Sequence, residues 1–236
     1  MLFRSRVAES ALLKPQGIPV TEQELIRQIS EQVVRRLGCH YGPATSARNG
    51  IPIGVSVRHC HLSPQNVETL FGAGHELHVR NWLYQTGQFA AQETVTVVGP
   101  KGALYNVRVL GPTRSAPQVE VSRTDAIALG VMPPIRQSVA DGDGERIVLV
   151  GPAGVVDAPN ALIRAKRHIH THPEGAAEVG AKDGDLIDVR LEGGNQLTLN
   201  EVLIRVNPDF VPEMHLDTDE GNAADLICGD KAYVIA

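Results

Sequence analysis

The chain has 236 residues, of which 42% are apolar and only 4% aromatic, with 23 glycines, 15 prolines and a formal charge of −5. That length holds one large domain or two small ones, and the core must be built from Val, Leu, Ile and Ala. A net negative chain without a Lys/Arg block excludes a general nucleic-acid or membrane-surface binder, so anionic ligands must be held by a few placed arginines. Cys39, Cys60 and Cys228 form no C-x-x-C pair and predict free thiols in a reducing, cytoplasmic setting. The start Met1-Leu2-Phe3-Arg4-Ser5-Arg6 lacks an apolar signal region, and no run of about 18 apolar residues is present to span a bilayer.

Residues 21–37, TEQELIRQISEQVVRRL, read as a capped helix: Thr21 and Glu24 make a capping box, and Gly38 follows as the stop. Leu25, Ile29, Val33 and Leu37 form one apolar stripe. Turn-rich stretches on both sides, Pro15 to Pro19 and Tyr41 to Gly50, give the helix the look of a tethered element. Two readings stand side by side: a helix packed on its own domain, or one docking on a partner.

From Ile51 the texture changes to short β-rich runs punctuated by Gly, Pro and Asp-Gly turns. Thr94 to Val98 runs into Gly99-Pro100-Lys101-Gly102, and Ile147 to Val150 runs into Gly151-Pro152-Ala153-Gly154. Asp183-Gly184-Asp185 opens a strand at Leu186, and Gly193-Gly194-Asn195 turns it into residues 196–206. Short helices are expected at Pro64 to Phe71, Arg123 to Gly130 and Pro173 to Gly180. This spacing predicts small antiparallel barrels in preference to βαβ units.

One heptapeptide occurs twice: Arg58-His59-Cys60-His61-Leu62-Ser63-Pro64 and Arg167-His168-Ile169-His170-Thr171-His172-Pro173. On a strand, side chains two apart leave the same face, so each His-x-His presents two imidazoles to one pocket. The flanking arginines, and Cys60 between the histidines, point the other way; the arginines read as structural pairs and the cysteine as a poor nucleophile. Repetition 109 residues apart indicates two related halves. His215 and Glu120 are further ligand candidates, and six mixed imidazole and carboxylate donors are too many for one tetrahedral ion. His75 and His78 lack the spacing of a zinc helix and read as loop histidines, and His172 reads as a turn residue beside Pro173. Arg123 and Asp125 read equally as an ion pair at a helix start or as a substrate contact, and Asp217 to Glu220 as a solvated turn or as partners of the histidines.

Several longer motifs in order carry a family resemblance: Ile53 to Ser63, Gly111-Pro112-Thr113-Arg114, Gln118 to Ala126, Arg167 to His170, and Glu213 to Ala223. From about Pro52 onward the chain resembles the PduL-type phosphate propanoyltransferases, the phosphotransacylases of bacterial microcompartments. The resemblance implies a mainly β fold with short helices, built as two β-barrels related by an internal repeat with a dinuclear zinc site at their interface. It implies a division into residues 58–166 as one barrel, residues 44–57 plus 167–236 as the other, and residues 1–43 as a tail. His59, His61 and Glu120 would hold one zinc ion, His168, His170 and His215 the other, and Arg114 would grip phosphate. Thr171-His172 departs from the family pattern, which leaves His172 without an assigned role.

The implied activity interconverts a short-chain acyl-CoA and phosphate with an acyl phosphate and free CoA. The implied setting is a homodimer inside a microcompartment for propanediol degradation, reached through the N-terminal helix as a targeting peptide for shell or cargo. A zinc hydrolase of acyl compounds and a non-catalytic two-barrel protein with structural metal remain the rival readings.

Overall fold

The structure is a computed structural model that describes residues 50–139, 144–227 and 229–235. The helix expected over residues 21–37, Cys39 and Cys228 lie outside them. No helix among the described residues is long and apolar enough to cross a membrane.

Among the described residues, fourteen strands and four short helices follow in chain order. The first half comprises β1 (Ile51–Ser56), β2 (His59–His61), α1 (Pro64–Phe71), β3 (Val79–Trp82), β4 (Phe89–Val98), β5 (Ala103–Gly111), β6 (Gln118–Glu120), α2 (Arg123–Leu129), β7 (Ile135–Arg136) and β8 (Glu145–Val150). The second comprises β9 (Val155–Ala165), β10 (His168–Thr171), α3 (Pro173–Glu178), β11 (Leu186–Glu192), β12 (Leu197–Val206), β13 (Glu213–Asp217), α4 (Thr218–Ala223) and β14 (Lys231–Val234). The three helices read from sequence are present; α4 was not anticipated, because its six residues, TDEGNA, carry no apolar period.

Two closed six-stranded barrels result. One runs β1-β13-β10-β12-β11-β14 and back to β1. The other runs β9-β6-β2-β5-β4-β8 and back to β9, with β3 added on β4 and β7 on β9. The rings match strand for strand. β10 is parallel to β12 and antiparallel to β13, as β2 is parallel to β5 and antiparallel to β6. Likewise β1 is parallel to β13 and antiparallel to β14, as β9 is parallel to β6 and antiparallel to β8.

The expectation of wholly antiparallel barrels is therefore corrected: each barrel contains two parallel pairs. Parallel neighbours need a long crossover, and the segments from β2 to β5, with a helix and two strands, and from β10 to β12, with a helix and one strand, supply it.

The first strand of each sequence half is exchanged. β1 precedes β2 in the chain but completes the barrel of β10, and β9 precedes β10 but completes the barrel of β2. Only Val57-Arg58 and Lys166-Arg167 separate the exchanged strand from the next, so both crossings are short. Alternation decides what each strand buries. On β1, Ile51 and Ile53 enter a core with Ile169, Val189, Leu191, Ile204, Met214 and Leu216. The other core gathers Val95, Val97, Val107, Val109, Val119, Leu149 and Leu162 around Cys60.

Candidate metal centre between the barrels

Each strand that carries a candidate ligand ends in the same way. His61, Glu120, His170 and His215 are each followed, two residues on, by a helix N-cap: Ser63, Ser122, His172 and Asp217. The cap side chain accepts a backbone N–H of the first turn, and three of the four caps form full capping boxes, with Asn66, Asp125 and Glu220. A short strand locked at once into a capped helix has little freedom to turn its side chains away from the site. The role left open for His172 is thereby filled in part: its Nδ1 accepts the Glu174 N–H.

The cap residues also engage the arginines of the repeated motif. Arg58 Nη2 lies 2.8 Å from Asp125 Oδ1, and Arg167 Nε lies 3.1 Å from Glu220 Oε1. Each arginine thus ties the start of its His-x-His strand to the helix that follows the other ligand strand of the same barrel, as the structural reading expected. The Arg123–Asp125 pair does not form. Arg123 instead bonds the Met132 sulfur, because Asp125 is taken by Arg58 and by the cap. The acidic run is likewise no loose turn: Asp217 and Glu220 cap α4, and Asp219 accepts the Thr124 N–H from α2 of the other barrel.

Strand register brings the six donors into two triads. His59 faces Glu120 across the β2–β6 pair, and His168 faces His215 across β10–β13, so the carboxylate and the third imidazole occupy equivalent places. The donor atoms of His59, His61 and Glu120 lie within 4.8 Å of one another, as do those of His168, His170 and His215. In the all-histidine triad the ring centroids form a near-regular triangle with sides of 4.7 to 4.8 Å. Both triads line one cleft of about 1780 Å³ between the barrels, together with Arg114 and Arg205. Arg114 is set beside His61 because its backbone N–H donates to Leu62 O.

The leading histidine of each triad is oriented by its own backbone. His59 Nδ1 sits 2.9 Å from Val57 O, and His168 Nδ1 sits 2.8 Å from Lys166 O. A carbonyl accepts only, so each Nδ1 carries a proton; this turns Nε2 of both rings away from the backbone, that of His59 toward Glu120 Oε2 at 3.5 Å. Burial and the neighbouring Arg114 and His59 push His61 down to about 3. Burial and His215 push His168 down to about 3 and His170 to about 2, so these imidazoles are neutral donors near pH 7. His59 goes the other way: burial alone would lower it, but the Glu120 charge and hydrogen bond outweigh that and raise it. Glu120, which burial would raise, is held well below the usual carboxylate range by His59, His61 and Gln118.

A metal fits this donor set on an independent observation. His61 Nδ1, both ring nitrogens of His170 and His215 Nε2 are buried without a hydrogen-bond partner among the described residues. His215 Nε2 approaches Glu213 Oε2 at 3.2 Å, without hydrogen-bonding geometry. Buried ring nitrogens seldom stay unpaired, since each orphan costs about 1–3 kcal/mol. Convergent, unpaired imidazoles are the chemistry that borderline divalent ions satisfy.

Other residues of the cleft carried no sequence signal. Arg205 is placed by the β10–β12 register opposite His170. Phe210 stacks on His170 at 4.1 Å. Gln85 bridges the barrels: its amide donates to Val211 O and Glu213 Oε2, and its carbonyl accepts the Val211 N–H. Gly54 makes room for Glu213, whose Oε1 would lie 2.4 Å from a Cβ at that position. Cys60 is fully buried in the core, and burial pushes its thiol up to about 12, which removes it as a nucleophile.

Comparison with known proteins agrees with the motifs. The model of the phosphate propanoyltransferase family matches residues 52–227. The phosphate propanoyltransferase of Thermotoga maritima is 54% identical over 188 residues, covering 79% of this chain and 89% of its own. That of Priestia megaterium is 49% identical over 212 residues, covering 90% and 96%. That of Salmonella typhimurium is 50% identical over 175 residues, covering 74% and 83%. With its two barrels, its paired triads of candidate donors and this similarity along most of its length, the chain belongs to the phosphate propanoyltransferase family of acyltransferases.

Proposed function

We propose that the chain interconverts propanoyl-CoA and phosphate with propanoyl phosphate and CoA, and that it accepts acetyl-CoA as a smaller substrate. The observation that carries this reading is the pair of triads with unpaired imidazole nitrogens facing one cleft beside Arg114 and Arg205. His59, His61 and Glu120 would hold one zinc ion, and His168, His170 and His215 the other. Bound zinc would supply Lewis acidity, offsetting negative charge on phosphate and on the carbonyl oxygen.

The residues themselves account for the remaining demands. A phosphate oxygen attacks the thioester carbonyl carbon, the C–O bond forms, the C–S bond breaks, and the thiolate leaves as CoA. Arg114 would grip phosphate through its planar fork, with Arg205 offsetting the remaining charge from the opposite barrel. Backbone-fixed His59 and His168, and the four capped strand ends, hold the donors in place so that little reorganisation accompanies charge development. No acyl-enzyme is required, because phosphate is the nucleophile and Cys60 is sealed in the core. The open cleft beside both triads supports this reading over a purely structural metal site, whose ligands would close around the ion.

The segment over residues 21–37 is proposed as a targeting helix that brings the enzyme into a bacterial microcompartment within the cytoplasm, with a homodimer as the assembled form. Its apolar stripe and flanking turn-rich stretches support that role.

The deciding experiment follows thiol release from propanoyl-CoA with and without phosphate, on metal-replete and on chelator-stripped protein. Release that needs both phosphate and metal, with acyl phosphate as product, is expected. Release without phosphate would make the chain a thioester hydrolase, and no release from the loaded protein would leave the metal a structural role.

A further inference from the structure

A third group of ligand-type residues lies outside the central cleft. The loop between α1 and β3 carries His75 and His78 onto Glu93 of β4. His75 Nε2 lies 2.9 Å and His78 Nδ1 2.7 Å from the same Glu93 oxygen, Oε1. The His78 backbone N–H donates to both carboxylate oxygens, at 3.2 and 3.1 Å. The two rings are 5.4 Å apart, and His75 stacks on Phe71. The three donor atoms lie within 4.8 Å of one another, as in each central triad.

Glu93 occupies a position that strand patterning reserves for an apolar side chain. It shares the inward row of β4 with Ala91, Val95 and Val97, and its side chain is only 7% exposed. A carboxylate there needs strong partners. The loop supplies two imidazoles of graded exposure, 27% for His75 and 63% for His78, so one side of the group is open to solvent.

We propose that His75, His78 and Glu93 form a third divalent-metal site, of the zinc, cobalt or nickel class, separate from the two triads of the cleft. Two imidazoles and a carboxylate are the same donor set as His59, His61 and Glu120, and a fourth position toward solvent lets water complete a tetrahedral ion. Donor atoms around such an ion stand about 3.3 Å apart, so the observed 2.7 and 2.9 Å contacts need only open by a few tenths of an ångström. His78, the most exposed of the three, has room to move outward. Nearby Arg108, which bonds the Ala91 and Gln92 carbonyls, places a positive charge within electrostatic reach of Glu93 and weakens the site relative to the central ones. Occupancy would pin the loop to β4 and steady β3, whose following loop, with Leu83, Gln85 and Gln88, lines the cleft.

The test is a calorimetric titration of chelator-treated full-length chain with cobalt, in the micromolar range of free metal. Wild type is compared with His75→Ala/His78→Ala and, separately, with Glu93→Gln, which preserves size and the histidines. One fewer ion per chain in both variants is expected, with phosphate-dependent thiol release unchanged. An unchanged stoichiometry in the double variant overturns the site. Loss in the double variant but not in Glu93→Gln also overturns it, since binding would then belong to surface histidines alone. Because the readout is a difference, it holds whether the central triads bind two ions or none.

Discussion

Arg58 and Arg167 hold equivalent places in the repeat, yet their partners are unequally buried. Asp125 is 5% exposed at its side chain, whereas Glu220 is 23% exposed. Removing Arg58 therefore strands a buried carboxylate, and Arg58→Ala should cost about 1–3 kcal/mol in denaturant unfolding, against well under 1 kcal/mol for Arg167→Ala. Equal losses would show that the ion pairs matter less than the capping boxes beneath them. In the proposed reaction Arg114 would act on substrate, not on the fold. Arg114→Ala should lower kcat/KM for phosphate roughly a hundred- to a thousand-fold, chiefly through KM, with the unfolding midpoint little changed. Among these residues, the ones legible in the sequence are those whose chemistry is written locally. A His-x-His pair on a strand declares its own face, and the arginine beside it declares the other. Arg205, Gln85 and Glu213 are invisible because each reaches the cleft by pairing with residues far away in sequence, as Gln85 does with Val211 and Glu213.

The two glycine-proline turns explain why short helices persist here. Gly99 and Gly102 press on the last carbonyls of α2, and Gly151 and Gly154 on those of α1: a Cβ at Gly99 would lie 2.4 Å from Leu129 O, and one at Gly151 2.3 Å from Leu70 O. The same turns donate Lys101 N–H to Leu129 O and Ala153 N–H to Leu70 O, satisfying carbonyls that a helix end leaves orphaned. Gly151→Ala should destabilise by about 1–3 kcal/mol, and a chemical denaturation series would locate that loss without change in the slope. Helices seven or eight residues long gain little from propensity alone, so this clamping and the N-caps sustain them. Strand runs and turns were readable because period-two alternation and Gly-Pro signals are local. The parallel pairings were not, since they depend on which distant strand closes the ring, and α4 was not, since caps without an apolar stripe look like a polar turn.

At the scale of the molecule, we take residues 58–166 as one domain and residues 44–57 plus 167–236 as the other. Removing residues 1–48 should leave phosphate-dependent activity intact, because β1 begins at Ile51. Removing residues 1–57 should abolish it, since Ile51 and Ile53 leave the second core and the barrel of β10 loses its closing strand. Calorimetry would show the loss of that barrel's cooperative transition, and retention of both activity and transition would contradict the exchanged-strand topology. The exchange has a further consequence. A chain ending after β8 would contain β1 with no ring of its own to enter, and a ring lacking the place filled by β9. Two copies of such a half would complete each other reciprocally, giving a twofold dimer with a pair of identical donor triads at its centre. The present molecule has the topology of that dimer joined end to end, and covalent linkage is what allows its two triads to differ, with carboxylate Glu120 standing where the other half has the imidazole of His215.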